Sequence, residues 1–152
     1  MPIKILSVGK KHESWVAEGI DRYQKRLRAP FLAEWVLLPH SSLEGERARQ
    51  EESERILSRL VPTDYVILLD ERGKLIDSPH LSSLLAEQLH TSKTVVLIIG
   101  GAYGVDDTIH QRADYIWSLS PLVFPHQLVR LLVVEQLYRA QQIELGGAYH
   151  HQ

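Results

Sequence analysis

Short apolar runs alternate along the chain with longer amphipathic stretches. Apolar positions at helical spacing predict helices over residues 14–27, 44–60, 78–89 and 126–145, with a further short helix after Gly104. The apolar runs predict strands over residues 3–8, 35–38, 65–69, 94–99 and 115–119. Within the fourth run, five consecutive apolar residues are typical of a strand buried on both faces of a parallel sheet. The pattern predicts an α/β fold with a mainly parallel sheet and helices on both faces.

Two predicted helices differ in character. The helix over residues 44–60 is highly charged, with apolar residues mainly near its end, and is expected on the surface. The helix over residues 126–145 is apolar on almost every side, through Leu128, Val129, Leu131, Leu132, Val133, Val134, Leu137 and Tyr138. A second copy of the chain would cover part of that surface. The last helix therefore favours a homodimer.

Length and composition restrict the possible classes of protein. The 152 residues fit a single domain over residues 1–152. The chain has no cysteine, so disulfides, thiolate metal sites and cysteine nucleophiles are excluded. No apolar run approaches the length of a membrane span, and the start of the chain lacks a signal-peptide core, so we expect a cytoplasmic protein without a membrane partner.

The charge is unevenly distributed. A net charge of −2 excludes a uniformly basic nucleic-acid binder. Residues 1–30 nevertheless hold seven basic against three acidic residues, a balance of +4, while residues 44–54 are acidic. Contact with a polyanion is therefore expected from the N-terminal third, although an ordinary solvated amphipathic helix explains the same pattern.

Ligands of open α/β sheets bind beyond the carboxyl ends of the strands, where three loops follow strands three to five. These loops are residues 70–74, 100–104 and 118–125, and together they suit a nucleoside-like ligand. The glycines of the second loop match neither the dinucleotide fingerprint nor a Walker phosphate loop, so a tight turn between a strand and a helix explains them equally well. No nucleophile elbow of the Gly-x-Ser-x-Gly type is present.

The eight histidines show no metal-ligand spacing, so we expect no metal site and treat most of them as solvated. The exceptions are His126, which lies between Pro125 and the apolar helix, and the two histidines of the tail Tyr149-His150-His151, which follow an aromatic residue. His126 and Arg130 share one face of the last helix. Glu135 and Arg139, also four positions apart, predict a surface salt bridge on that helix.

A set of motifs along the whole chain resembles one family. The motifs are residues 5–10, 66–70 with Gly73 and Lys74, 98–104, 117–120, 124–130, 135–140 and 148–150. Their combination is similar to the small SPOUT methyltransferases that modify pseudouridine of 23S ribosomal RNA at ring nitrogen 3. The resemblance implies a C-terminal trefoil knot, S-adenosylmethionine bound in the knot loops, and a homodimer with its active site across the interface.

Carried over by position, the resemblance implies two sets of site residues. The cofactor contacts are Leu69, Gly100, Leu119, Ser120, Pro121, Leu122, Val123 and Phe124. The catalytic candidates are His126, Arg130, Tyr149 and His150, with Arg130 suited to phosphate contact and the tail to the partner subunit's pocket. His151 takes the place of the basic residue that is common in the family, which weakens a fixed positive charge there.

The expected function is methylation of ring nitrogen 3 of a pseudouridine in 23S ribosomal RNA, within assembled ribosomes, without a metal. A non-catalytic RNA- or ribosome-binding protein that keeps the fold is the alternative. A small nucleotide-binding α/β protein of another purpose is a third interpretation, and these three differ in whether S-adenosylmethionine binds.

Overall fold

A computed structural model describes residues 3–151 and contains a five-stranded, fully parallel sheet. Met1, Pro2 and Gln152, which belong to the predicted domain of residues 1–152, lie outside the described residues. The strands are β1 (Ile3–Val8), β2 (Ala33–Leu38), β3 (Tyr65–Leu75), β4 (Val95–Ile99) and β5 (Tyr115–Ser118), in the order β2-β1-β4-β3-β5. The predicted sheet type is therefore confirmed, while the trefoil knot stays a prediction.

Helices cover both faces of the sheet, and one apolar cluster is buried on each face. The helices are α1 (Ser14–Gln24), α2 (Gly45–Leu57), α3 (Ser78–His90), α4 (Asp107–Arg112) and α5 (His126–Glu144). One cluster joins α1, α3 and α5 to the sheet, and the other joins α2 and α4 to the opposite face. Alternate residues of β4 enter the two clusters, and every β4 side chain is at most 2% exposed. The central strand is thus buried on both faces, as its composition predicts. Of the helices in the described part of the chain, none has the length and apolar character needed to cross a membrane.

The largest departure from the predicted elements lies in β3. A turn over residues 70–74 was expected, but the strand continues to Leu75 with a break in register. Leu69 and Lys74 both face Trp117 of β5, so residues 70–73 form a bulge between them. At Gly73 a Cβ would lie 2.6 Å from the backbone oxygen of Ile116, so a side chain has no room there. The bulge turns Asp70 and its neighbours toward the carboxyl edge of the sheet.

Three predicted helices end earlier than their apolar pattern suggests, among them α2, which ends at Leu57 rather than at residue 60. At the end of α1, Arg26 N donates to Tyr23 O and Leu27 N donates to Gln24 O, and these tighter bonds close the helix. The helix after Gly104 is only one and a half turns long, from Asp107 to Arg112. The predicted surface helix α2 has a buried side that includes the carboxylate of Glu52.

Because the strands are parallel, the five loops that follow them lie at the same edge of the sheet. The candidate site lies at this edge.

Candidate active site

A cavity of about 400 Å³ lies at the carboxyl edge of the sheet, between the β3 bulge, the loop after β4 and the loop after β5. Seven of the eight predicted cofactor residues line it: Leu69, Gly100, Leu119, Ser120, Leu122, Val123 and Phe124. Pro121 belongs to the same loop but does not line the cavity. The three loops chosen from the sequence therefore form one concave surface, of a size typical for small-molecule sites.

The glycine loop after β4 lets backbone form the cavity wall. A Cβ on Gly100 would lie 3.1 Å from Val105 Cγ1 and 3.3 Å from the Gly104 carbonyl carbon. Gly104 has a positive φ of 73°, and its N–H donates to Gly101 O at 3.0 Å. The loop is thus a tight turn that also forms part of the cavity wall, while its contact with a ligand stays a prediction.

The loop after β5 supplies an apolar and unusually open wall. Leu122 is 70% exposed and Val123 is 78% exposed, although both side chains are hydrophobic. The loop is shaped by Ser118 Oγ, which donates to Ser120 O, and by Ser120 Oγ, which accepts from Leu122 N, both at 3.0 Å. Two large apolar side chains are therefore held at the mouth of the cavity, where a ligand or a second subunit would cover them.

An ion cluster at the rim of the cavity was missed by sequence reasoning. Asp70 Oδ2 lies 2.9 Å from both Arg72 Nη2 and His110 Nε2. Hydrogen bonds from Arg72 hold the pKa of Asp70 below its usual value. His110 was expected to be a solvated residue, but its side chain is only 22% exposed. Asp70 and His110 are 40 positions apart, so no local pattern indicates the contact. Asp70 therefore lines the cavity as an ionised carboxylate that is paired with Arg72.

His126 lines the cavity at the first turn of α5. The residue is exposed, but its ring is partly desolvated, and Arg130 and His40 add positive charge. These effects lower the pKa of His126, while Glu52 acts in the opposite direction. The ring is therefore neutral near pH 7 and is able to accept a proton.

Arg130 lies beneath the site rather than at its surface. The side chain is only 1% exposed. Its Nη1 donates to Lys11 O at 3.2 Å and to His12 Nδ1 at 3.1 Å, and its Nη2 donates to Val8 O and Gly9 O at 3.1 Å. With these donors occupied, the expected phosphate contact does not fit this geometry. Arg130 instead fixes the loop after β1.

His12 was expected to be solvated, but it is half-buried beside Arg130 and meets the edge of the Trp35 ring. Because a guanidinium only donates, Nδ1 of His12 must accept, and the imidazole is neutral. Burial, and then the charge of Arg130, lower the pKa of His12 below its ordinary value of 6.5.

We expect His12 to make the fold sensitive to acid. Its pKa is lower in the folded than in the unfolded chain, so the unfolded chain binds more protons below about pH 6.5 and stability falls as the pH drops through that window. In His12→Asn the amide oxygen accepts from Arg130 and does not titrate. Urea unfolding at about pH 7.5 and about pH 5 should show that the free energy of unfolding falls less between these pH values in the variant than in the original protein. His126 has a shift of the same sign in both proteins and cancels in the difference; equal losses would show that His12 is not responsible.

The C-terminal tail folds back onto α5. Tyr149 OH donates to Glu135 Oε2 at 2.9 Å, and Arg139 Nη2 lies 2.7 Å from the same oxygen. Arg139 Nη1 also contacts His150 Nδ1 at 3.1 Å, and the Tyr149 ring packs edge-on against Tyr138. The pair of Glu135 and Arg139 was expected to be a surface salt bridge, but it is largely buried by the tail. Burial and the Glu135 carboxylate raise the pKa of Tyr149, so its phenol stays protonated.

His150 reaches a second cavity next to the first. This cavity measures about 450 Å³ and is lined by the polar residues His150, Gln136, Asp77 and Ser78 together with apolar residues. Leu119 and Phe124 belong to the walls of both cavities. Of the four catalytic candidates, His126 thus faces the first cavity, His150 the second, Tyr149 anchors the tail, and Arg130 is buried.

Comparison with known proteins identifies the family of the chain. Residues 1–150 match the family model described as predicted SPOUT methyltransferase. The chain is 42% identical to the ribosomal RNA large subunit methyltransferase H of Desulfitobacterium hafniense (strain DSM 10664 / DCB-2), with 99% of each chain covered. Its identity to the protein of the same name from Synechococcus sp. (strain RCC307) is 45%, covering 97% of this chain and 93% of the relative.

Among solved structures, the fold is similar to a probable methylase family protein from Haemophilus influenzae Rd KW20. The TM-score is 0.56 at 13% identity, and the match covers 99% of this chain and 70% of the other. That likeness concerns the fold alone. The family model spans nearly all of the sequence, and the relatives align with it from end to end. The chain therefore belongs to the SPOUT methyltransferase family.

Proposed function

We propose that this protein is an S-adenosylmethionine-dependent methyltransferase that methylates ring nitrogen 3 of a pseudouridine in 23S ribosomal RNA. The observation that carries the proposal is the single cavity made by the loops after β3, β4 and β5, lined by seven of the eight residues expected to contact the cofactor. The full-length relatives are named as methyltransferases of large-subunit ribosomal RNA, which supports the substrate class.

The cavity fits the chemistry of S-adenosylmethionine. Leu119, Leu122 and Phe124 offer an apolar surface for the adenine, and the wall at Gly100 and Gly101 lets backbone approach the ligand. The Asp70 carboxylate complements the positive charge of the sulfonium or of the amino group. When bound, S-adenosylmethionine supplies an activated methyl group, so the protein needs chiefly to position the acceptor nitrogen.

We assign different roles to the four candidate residues. His126 faces the cofactor cavity as a neutral imidazole and would accept the imide proton of the pseudouridine. Tyr149 would anchor the tail and His150 would bind the target nucleotide, whether in its own subunit or in a partner's. Arg130 would not touch RNA but would hold the loop of residues 8–12 in place.

The RNA would be bound by exposed basic residues of the N-terminal third, two of them at the site edge of the sheet and three toward its opposite edge. Lys10 and Lys11 are exposed on the loop that Arg130 fixes, and Arg22, Lys25 and Arg26 are exposed at the end of α1 and just after it. This small set suits a substrate that presents a large folded surface, such as the assembled ribosome, and that substrate would place the protein in the cytoplasm. A homodimer would cover Leu122 and Val123 and add a second basic surface.

Calorimetric titration with S-adenosylmethionine and S-adenosylhomocysteine tests the cofactor assignment. We expect saturable binding of both ligands at one site per subunit. Absence of binding would favour the non-catalytic RNA- or ribosome-binding protein. Binding of a different nucleotide in their place would favour the third interpretation.

A further inference from the structure

Two adjacent buried side chains of α2 hold the wall of the cofactor cavity from behind. Glu52 is 3% exposed and Ser53 is fully buried. Ser53 Oγ accepts from Asp106 N at 3.0 Å, just after the glycine loop. Glu52 Oε2 accepts from Ser41 N at 2.9 Å, in the loop after β2. Because β2 and β4 flank β1, α2 joins the loops on either side of the loop that Arg130 fixes.

The other oxygen of Glu52 is left without a partner. Among residues 3–151, no hydrogen-bond donor reaches Oε1, although the atom is buried. It lies 2.8 Å from the position that a Cβ on Gly101 would take, and Gly101 itself lines the cavity. A buried carboxylate in a purely structural role normally has hydrogen bonds to both oxygens, because an unsatisfied one costs free energy. The bare oxygen therefore lies directly behind the ligand-facing loop.

The turn of residues 101–104, which faces this oxygen, contains backbone N–H groups that have no acceptor in the described part of the chain. Within residues 3–151, neither Ala102 N nor Tyr103 N donates a hydrogen bond, while Gly104 N closes the turn onto Gly101 O. Gly101, at the start of this turn, lies against Glu52 Oε1 and also lines the cavity. A ligand in the cavity would therefore contact the same turn that Glu52 faces.

We propose that Glu52 is a positioning residue for cofactor binding, whose free oxygen accepts a turn amide in the ligand-bound protein. The proposal rests on the proposed function of this cavity. Glu52 does not touch the ligand; it acts through the backbone of residues 101–103. The unsatisfied oxygen destabilises the free protein, and ligand binding removes that cost, so part of the cofactor affinity comes from α2.

The test is Glu52→Gln. Its effects on the stability of the free protein and on ligand affinity together distinguish a positioning role from a structural one. Glutamine keeps the side-chain length and one oxygen for Ser41 N, but its amide nitrogen cannot accept a hydrogen bond. We expect the free variant to be at least as stable as the original protein in urea unfolding. Its affinity for S-adenosylhomocysteine should fall about tenfold by calorimetry, the size expected for one hydrogen bond to a charged acceptor.

Glu54→Gln is the matched control, because Glu54 is exposed on the same helix, and we expect it to change neither quantity. Unchanged affinity in Glu52→Gln would overturn the proposal, and so would a loss of stability alongside the loss of affinity, since a structural residue lowers both. If the original protein failed to bind S-adenosylhomocysteine, the proposed function would fall instead, which is a separate result.

A second set of variants tests the contact without relying on Glu52→Gln. In Gly101→Ala the new Cβ would meet Glu52 Oε1 at 2.8 Å and Val8 Cγ1 at 3.1 Å, and we expect weaker ligand binding. Glu52→Ala removes Oε1, the atom closest to this new Cβ. The fold loss of affinity in the double variant should therefore be smaller than the product of the fold losses in the two single variants. Multiplicative losses would show that Glu52 and the turn do not act on each other, and would overturn the proposal.

Discussion

Replacing Arg130 by alanine should lower the free energy of unfolding by about 3 kcal/mol, because it removes the donor that satisfies several buried acceptors at once. The carbonyls of Val8, Gly9 and Lys11 and the ring nitrogen of His12 all accept from this guanidinium. A Cβ built on Gly9 would lie only 2.8 Å from Arg130 Nη2, so the loop is packed tightly around the charge. Water that entered the vacated space would replace these bonds only in part. Urea unfolding at pH 7.5 measures the difference.

Arg59→Ala is the matched control for Arg130, since Arg59 is exposed and its side chain takes part in no hydrogen bond among the described residues. Its effect should stay within about 0.5 kcal/mol. The loss of unfolding free energy in Arg130→Lys should lie between those of the two alanine variants, because an ammonium reaches fewer of the four acceptors at once. If Arg130→Ala were as stable as the original protein, the loop of residues 8–12 would not depend on this residue.

His150→Ala should reduce the rate of RNA methylation on the order of 10²-fold, because the target nucleotide would lose a positioning contact, and should leave the affinity for S-adenosylmethionine unchanged. His150 lines the second cavity and not the first, whereas the expected cofactor residues line the first, with Leu119 and Phe124 shared between the two. Tyr149→Phe should have a smaller effect, since the ring still packs on Tyr138 and only the bond to Glu135 is lost. Single-turnover methylation of ribosomes, with calorimetry alongside, gives both quantities.

His90→Ala provides the control for the tail variants, because His90 is exposed at the end of α3, away from both cavities. It should methylate at the original rate. A His150→Ala variant with the original rate and RNA affinity would show that the tail has no part in the reaction. Loss of cofactor binding in that variant would contradict the assignment of the first cavity to the cofactor and of the second to the target nucleotide.

Local pattern was enough to predict the sheet and its buried centre. β4 is apolar at every position, and such a run is stable only where helices cover both faces. The loops that follow β3, β4 and β5 could also be chosen in advance, since the carboxyl ends of parallel strands meet at one edge. What the sequence cannot show is which residues from distant segments contact one another there.

Arg130 illustrates that limit. Its partners lie 118 to 122 positions earlier in the chain, so on the helix surface it resembled a cation free to bind phosphate. The pairing of Asp70 with His110 depends in the same way on the bulge in β3, and that bulge follows from register against Trp117 rather than from residues 70–73 alone. Burial of Glu52 depends on the packing of α2, which its charged sequence conceals.

The most direct test of the account is methylation of ribosomes from a strain that lacks this activity, with purified protein and S-adenosylmethionine. The product nucleosides are then separated and identified by mass spectrometry. We expect one new methyl group, on ring nitrogen 3 of a pseudouridine from 23S ribosomal RNA, and no such product when S-adenosylmethionine is omitted. A protein that binds these ribosomes but leaves their nucleosides unmodified, or that methylates a different nucleoside, would contradict it.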